Sequence, residues 1–318
     1  MISVEHLTKY YDNFLAVDDL SFAINDKKVY GFLGPNGAGK STTMNIMTGC
    51  LSASDGKVVI DGIDIFENPI EAKKKIGYLP EIPPLYVNET PEEYLNFVGQ
   101  AKGIKGEDLK NQIENVKKLT GINEVSNKLI NNLSKGYRQR VGIAGALIGN
   151  PKIIILDEPT VGLDPLQIIE IRDLIKKLGE DHTVILSSHI LSEVQAVCEE
   201  VLIISKGKLV AYDKPENLEN FLASKNTINF TVRKNEEVLN KFFEKFNDCI
   251  VSNKQETLNE NYVKVEIKIK DIETNEFLEK LFLYFASKKT PIIELTTSKA
   301  NLEDVFIELT DSNKEDKQ

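Results

Sequence analysis

A three-layer α/β core with a helical insertion, followed by a small α+β unit, is the architecture predicted for this 318-residue chain. Three observations predict it. Short apolar runs ending in turn residues alternate with helical stretches over residues 1–220. A glycine-rich loop, Gly34-Pro35-Asn36-Gly37-Ala38-Gly39-Lys40-Ser41-Thr42, sits between one such run and a helix-like segment. Glycine then disappears after Gly207, where a second pattern of strands and helices begins.

Residues 2–7 read as a strand, and 15–24 as another after the turn-like Asp12-Asn13. The apolar run 29–33 leads into the glycine loop as a buried strand, and a helix leads out of it. Residues 57–60 alternate, and Asp61-Gly62 turns the chain into Ile63-Asp64-Ile65. Thr90-Pro91-Glu92-Glu93 marks a helix start, after which Tyr94, Leu95, Phe97 and Val98 recur at helical spacing. With 110–119 in the same style, a mostly helical subdomain is expected over about 91–147. Strand signals return at 153–156, 183–187 and 201–204.

The second unit is expected over residues 221–310. Strands at 229–232, 249–252, 262–269 and 291–295, with helices at 238–246 and 275–286, give the order βαββαβ of a small ferredoxin-like sandwich. A last helix is expected at 302–309, with Asn301 as N-cap and Leu302, Val305, Phe306 and Leu309 on one face. The tail, 311–318, is polar and expected to be disordered.

Composition removes several function classes. Apolar residues make up 41% of the chain, yet no run approaches the roughly twenty apolar residues of a membrane span. The first residues lack the basic flank and apolar stretch of a signal peptide. Cys50, Cys198 and Cys249 are far apart, odd in number and without CxxC spacing, which suits a reducing compartment and argues against zinc. A formal charge of −10 lacks the basic field of a nucleic-acid binder, so no nucleic-acid partner is expected.

The glycine-rich loop carries the first chemistry. It fits G-x-x-x-x-G-K-[ST], in which glycines let backbone N–H groups close around nucleotide phosphates. Lys40 can reach the β and γ phosphates, Ser41 can sit on Mg²⁺, and the following helix N-terminus favours the anion. A second element is Ile153-Ile154-Ile155-Leu156-Asp157-Glu158, an apolar run ending in two carboxylates. Asp157 is placed to hold Mg²⁺, and Glu158 to orient and deprotonate a water attacking the γ-phosphate. The expected ligands are therefore ATP and Mg²⁺.

A third element settles a family resemblance. Leu133-Ser134-Lys135-Gly136-Tyr137 resembles the LSGGQ motif of the ATP-binding cassette ATPases. The glycine loop, this motif, Asp157-Glu158, Gly162-Leu163-Asp164 and Ser187-Ser188-His189 stand in the family's order over about residues 1–220. The chain thus resembles a nucleotide-binding subunit of an ABC transporter, which implies a P-loop ATPase core. The resemblance implies that Ser134 and Gly136 face the γ-phosphate held by a second protomer, and that Asp164 belongs to the loop crossing that interface. It also matches Tyr11 to the aromatic residue that stacks on adenine, with Tyr10 as neighbouring candidate, and His189 to the switch histidine at the γ-phosphate. Two positions depart from LSGGQ, Lys135 for glycine and Tyr137 for glutamine, and neither removes the Ser134 hydroxyl or Gly136. A further departure is Glu81 where the family usually has a glutamine touching Mg²⁺ and the attacking water.

The ending Asn301-Leu302-Glu303-Asp304-Val305-Phe306-Ile307-Glu308-Leu309-Thr310 resembles that of ABC-2 type ATPases, including drug-export and gliding-motility members. This likeness implies a separate multi-helical permease, export, and a position on the inner face of the cell membrane. Two cassettes, as a homodimer or with a related chain, would enclose two Mg·ATP. The alternative is a soluble cassette ATPase acting as a conformational switch on a non-membrane partner. Against it stand the single cassette, the absence of a long coiled-coil insertion and the acidic charge.

Overall fold

Ten strands order the first part of the chain: β1 (Ile2–Tyr11), β2 (Phe14–Ile24), β3 (Val29–Leu33), β4 (Asp55–Ile60), β5 (Ile63–Asp64), β6 (Ile76–Leu79), β7 (Ile153–Asp157), β8 (Thr183–Ser188), β9 (Glu200–Ser205) and β10 (Lys208–Asp213). This computed structural model describes residues 1–25, 27–221, 227–270 and 272–298. The helices between the strands are α1 (Lys40–Met47), α2 (Pro69–Lys73), α3 (Pro91–Ala101), α4 (Gly106–Thr120), α5 (Lys135–Leu147), α6 (Pro165–Asp181) and α7 (Leu191–Val197). The chain divides into two compact units, Met1–Pro215 and Glu216–Gln318, and α8 (Pro215–Phe221) begins at the division.

Periodicity explains which sheet each strand joins. In β1 and β2 buried residues alternate with half-buried and exposed ones, as in a sheet packed on one face. These strands form an antiparallel sheet in the order β2-β1-β4-β5, with Tyr11 opposite Phe14 at the hairpin end. By contrast β3, β7 and β8 are buried along their whole length, as in a parallel sheet covered on both faces. They lie within a six-stranded sheet, β10-β9-β3-β8-β7-β6, in which β9 through β6 are parallel and β10 is an antiparallel edge. Met44, Ile46 and Met47 of α1 share one apolar core with residues of both sheets, among them Leu20, Phe32, Val58 and Ile155.

Capping fixes the helical subdomain. Thr90 and Glu93 form a reciprocal capping box at the start of α3, with Pro91 in the first turn. In α4, Leu109, Ile113, Val116 and Thr120 are buried at helical spacing, and Gly121 ends the helix in the left-handed region. The helix α5 packs closely on β6, since a Cβ on Gly142 would lie 2.6 Å from Leu79.

The second unit contains β11 (Thr227–Arg233), α9 (Glu236–Lys245), β12 (Ile250–Thr257), β13 (Tyr262–Ile269), α10 (Thr274–Ser287) and β14 (Ile292–Ser298). Its sheet order is β12-β13-β11-β14, antiparallel throughout, the split βαβ arrangement of a ferredoxin-like sandwich. Phe230, Phe242, Phe277 and Phe285 fill its core.

Several elements lie beyond the sequence expectation. The first strand runs on to Tyr11, and α2, α6, α7, α8 and β10 were not anticipated. The edge strand β12 extends to Thr257 through exposed polar residues with no apolar alternation. The helix expected at 302–309, the ending 301–310 and the tail 311–318 lie outside the described residues.

Candidate active site

Four segments end at the carboxyl edge of the parallel sheet and together build one cavity. The loop after β3, the turn after β7, the turn after β8 and the segment after β6 bring in Lys40, Glu158, His189 and Glu81. Such an edge is where open α/β sheets place ligands. The cavity holds about 350 Å³ and is lined further by Asn36 to Thr42, Tyr11, Phe14, Ala16 and Val161. Gly34 and Pro35 are not in its wall; their carbonyls accept hydrogen bonds from the Lys40 ammonium at 2.8 and 3.3 Å.

The entry to α1 is shaped for an anion. Gly39 stands before the helix with φ 102°, and a Cβ there would lie 2.6 Å from the Ala16 carbonyl, so only glycine fits. No side chain caps the first N–H groups of α1, which leaves them for a phosphate. Burial pushes the Lys40 ammonium below the ordinary lysine range, while the Glu158, Asp157 and Glu81 carboxylates pull it back up. Lys40 thus sits as a buried cation facing three acidic groups.

The end of β7 is held by its neighbour β8. Asp157 pairs in register with Ser187, whose hydroxyl donates to Asp157 Oδ1 and accepts the Glu158 amide at 2.9 Å. Ser41 Oγ lies 3.4 Å from the same Asp157 oxygen. Glu158 has φ 48°, an unusual conformation for a residue with a side chain, and its carboxylate is almost wholly buried. Its Oε2 meets His189 Nδ1 at 2.9 Å, and its Oε1 lies 4.0 Å from Lys40 Nζ. The turn therefore aims one carboxylate into the cavity between an imidazole and an ammonium.

A divalent ion fits the donor set. Ser41 and Asp157 offer two hard oxygens side by side, the number Mg²⁺ takes from protein when nucleotide phosphates supply others. Among the described residues no cluster of three His, Cys, Asp or Glu could hold a metal alone. Glu81 lies in the cavity wall as an exposed residue.

Other expected residues stand elsewhere. Tyr11 lines the cavity and Tyr10 does not, although both are well exposed. Ser134, Gly136 and Asp164 are not in the cavity wall of their own chain. Ser134 is the N-cap of α5, its hydroxyl accepting from Tyr137 N at 3.3 Å with its own proton left to donate. Asp164 caps α6 through Gln167 N at 2.9 Å, and the Gln167 amide covers Gly136, where a Cβ would lie 2.6 Å from it. Phe14 and Val161 belong to no motif of the sequence; the turn Asp12-Asn13, which sets Phe14 opposite Tyr11, is the available signal for the first.

Comparison with known proteins agrees with this geometry. Residues 17–161 match the family model described as ABC transporter. The chain is 36% identical over 322 residues to the ABC transporter ATP-binding protein YhcH of Bacillus subtilis (strain 168), covering 100% of this chain and 98% of that one. It is 41% identical over 212 residues to the bacitracin transport ATP-binding protein BcrA of Bacillus licheniformis, covering 66% of this chain and 68% of that protein. Among solved structures, the dimeric post-hydrolysis state of the ATP-binding cassette MJ0796 bound to ADP and Pi superposes with a TM-score of 0.62 at 28% identity, over 67% of this chain and 98% of that one. A phosphate loop, an acidic strand end and a histidine at one sheet edge, with a relative of this kind along the full length, place the chain in the ABC transporter ATP-binding family, as an ATPase subunit.

Proposed function

We propose that this subunit dimerises around two Mg·ATP and drives a separate membrane permease, in export. The observation that carries the catalytic part is the Glu158 carboxylate, buried in the cavity wall between Lys40 and His189. In this reading Lys40 and the α1 amides hold the phosphates, and Tyr11 stacks on the adenine. Ser41 and Asp157 hold Mg²⁺, which neutralises phosphate charge when bound, and Glu81 stands near it. Glu158 takes the proton of the attacking water, and His189 contacts the γ-phosphate.

The position of Ser134, Gly136 and Asp164 outside their own chain's cavity supports a site completed by a second copy. The MJ0796 cassette with ADP and Pi is dimeric, which supports the same arrangement here. For the permease, support comes from the segment that follows Glu81. Ile82, Tyr86, Val87 and Phe97 are exposed there, with the Tyr86 ring edge-on to Phe97 at 5.1 Å. The exposed Tyr86–Phe97 pair suits an apolar contact with a partner's helix. Among the described residues no helix is long and apolar enough to cross a membrane, so membrane attachment in this reading runs through the permease. Export follows the resemblance of the ending 301–310 to ABC-2 type ATPases, and transport the likeness to BcrA, a bacitracin transport ATP-binding protein.

The test is to trap Glu158→Gln with Mg·ATP in native cells, solubilise the membranes gently and identify what copurifies. A multi-span membrane polypeptide is expected. Recovery only with ribosomes, DNA or soluble proteins would overturn the transport reading and leave the ATPase chemistry in place.

A further inference from the structure

One buried carboxylate outside the cavity has no place in the chemistry so far. Glu193, in the first turn of α7, is 3% exposed. Its Oε2 accepts hydrogen bonds from Thr160 Oγ1 and from Ser188 Oγ, the latter at 3.1 Å. Thr160 lies two residues after Glu158, in a turn closed by Val161 N on the Glu158 carbonyl at 3.2 Å. Ser188 immediately precedes His189, and its hydroxyl also accepts the Ile190 amide at 2.9 Å. The carboxylate therefore bridges the two turns that deliver the Glu158–His189 pair.

The arrangement is not what helix stability asks for. An acidic residue in a first turn ordinarily serves the helix N-terminus. Here α7 has no side-chain cap, and the carboxylate is turned to two hydroxyls on other segments. Its second oxygen, Oε1, has no hydrogen-bond partner among the described residues, and the nearest cation is Arg172 of α6 at 4.0 Å. A half-satisfied buried charge is costly to hold, so its geometric role needs another reason.

We infer that Glu193 is a positioning residue for ATP hydrolysis: it ties the Thr160 turn to the Ser188 turn and thereby sets Glu158 against His189. The inference rests on Glu158 being the base, and the experiment separates the two. Glu193→Ala removes the bridge, whereas Glu193→Gln keeps an oxygen that both hydroxyls can reach. In steady-state assays of the full chain, Glu193→Ala should lower kcat about 10–100-fold while the KM for ATP moves little, because only the reacting pair is displaced. Glu193→Gln should recover most of that loss. Glu158→Gln, run alongside, tests the base itself: near-normal turnover there would sink the base assignment, whatever Glu193 does. Glu193→Ala with wild-type kcat, at a temperature where its thermal midpoint shows the fold intact, would overturn the inference. If Glu193→Ala does not fold, Thr160→Val and Ser188→Ala decide. Losses in kcat that fail to add in the double variant support one shared bridge, and additive or absent losses overturn it.

Discussion

His189 Nδ1 lies 2.9 Å from Glu158 Oε2, and this contact fixes what the imidazole can do. An ionised carboxylate only accepts, so the proton of the contact belongs to Nδ1. In the neutral ring Nε2 is then an acceptor and offers nothing to a phosphate. To donate to a γ-phosphate oxygen, the ring must leave Glu158 or take a second proton. His189→Ala should therefore lower kcat by roughly 10²–10³-fold, the loss typical of a transition-state donor, with a smaller effect on ATP affinity. Because the two residues act as a pair, His189→Ala combined with Glu158→Gln should be little worse than the poorer single variant. Single-turnover ATPase measurements on the four proteins check this.

Lys40 spends its hydrogen bonds on the Gly34 and Pro35 carbonyls, inside its own loop. Phosphate oxygens can replace those carbonyls and add charge pairing. Lys40→Ala should weaken ATP binding about 10–100-fold, as expected for charged hydrogen bonds, and leave the thermal midpoint of the apo protein nearly unchanged. Calorimetric titration with ATP and a melting curve without it test both halves.

Glu81 stands with Glu158 in the cavity wall, and its charge, like those of Glu158 and Asp157, is felt by Lys40. Adding ligand charge tightens a divalent site, and replacing a carboxylate by an amide loosens it. Glu81→Gln should shift the Mg²⁺ dependence of ATPase activity to higher concentration, by a few-fold. An unchanged Mg²⁺ titration would remove Glu81 from the metal's surroundings.

The parts of the site that were legible in the sequence are those whose neighbours along the chain do the work. Lys40 and Ser41 act through the glycine loop that precedes them, and Asp157-Glu158 through the apolar run of β7. Phe14 acts through pairing across the hairpin, and so does the bond of Ser187 to Asp157 across β7–β8, which the motif Ser187-Ser188-His189 does not reveal. No local pattern marks a residue whose role depends on strand register. The missed helix α6 did carry a signal, since Asp164-Pro165 is a cap followed by proline, and Ile171, Leu174, Ile175 and Leu178 are buried at helical spacing. The edge strand β10 carried a fainter one, the short run Leu209-Val210-Ala211-Tyr212, of which Leu209 and Tyr212 pack half-buried on the core.

Gly77 in β6 shows how tightly the α5 helix sits on the parallel sheet. A Cβ there would lie 2.3 Å from the Ala146 carbonyl and 2.9 Å from Pro151, both backbone or ring atoms that cannot turn aside. Gly77→Ala should therefore destabilise the protein by about 1–3 kcal/mol, the usual cost of overpacking. Because α5 begins at the Ser134 cap, ATP-dependent association of two copies should suffer as well. Denaturant unfolding and a sizing column with Mg·ATP measure the two effects.

The pair Lys28–Glu200 ties β9 to the start of β3, and it predicts a pH dependence of known sign. Lys28 Nζ lies 2.5 Å from Glu200 Oε1, and the Tyr212 hydroxyl donates to Oε2 at 2.8 Å. Burial alone would raise the Glu200 pKa, but the bonds from Lys28 and Tyr212 outweigh it and hold the carboxyl below its ordinary 4.5. Donating that hydrogen bond to Glu200 in turn holds Lys28 above 10.5. A depressed carboxyl binds its proton more weakly in the folded state than in the unfolded one. Its contribution to stability is complete above 4.5 and disappears as pH falls through the folded value. The Lys28 contribution is present below 10.5 and disappears as pH rises through its raised value. The thermal midpoint of Glu200→Gln should thus fall below wild type across neutral pH, and the gap should close in acid as pH falls through the lowered Glu200 value. A gap that persists unchanged well below pH 4.5 would mean the residue acts by packing rather than charge.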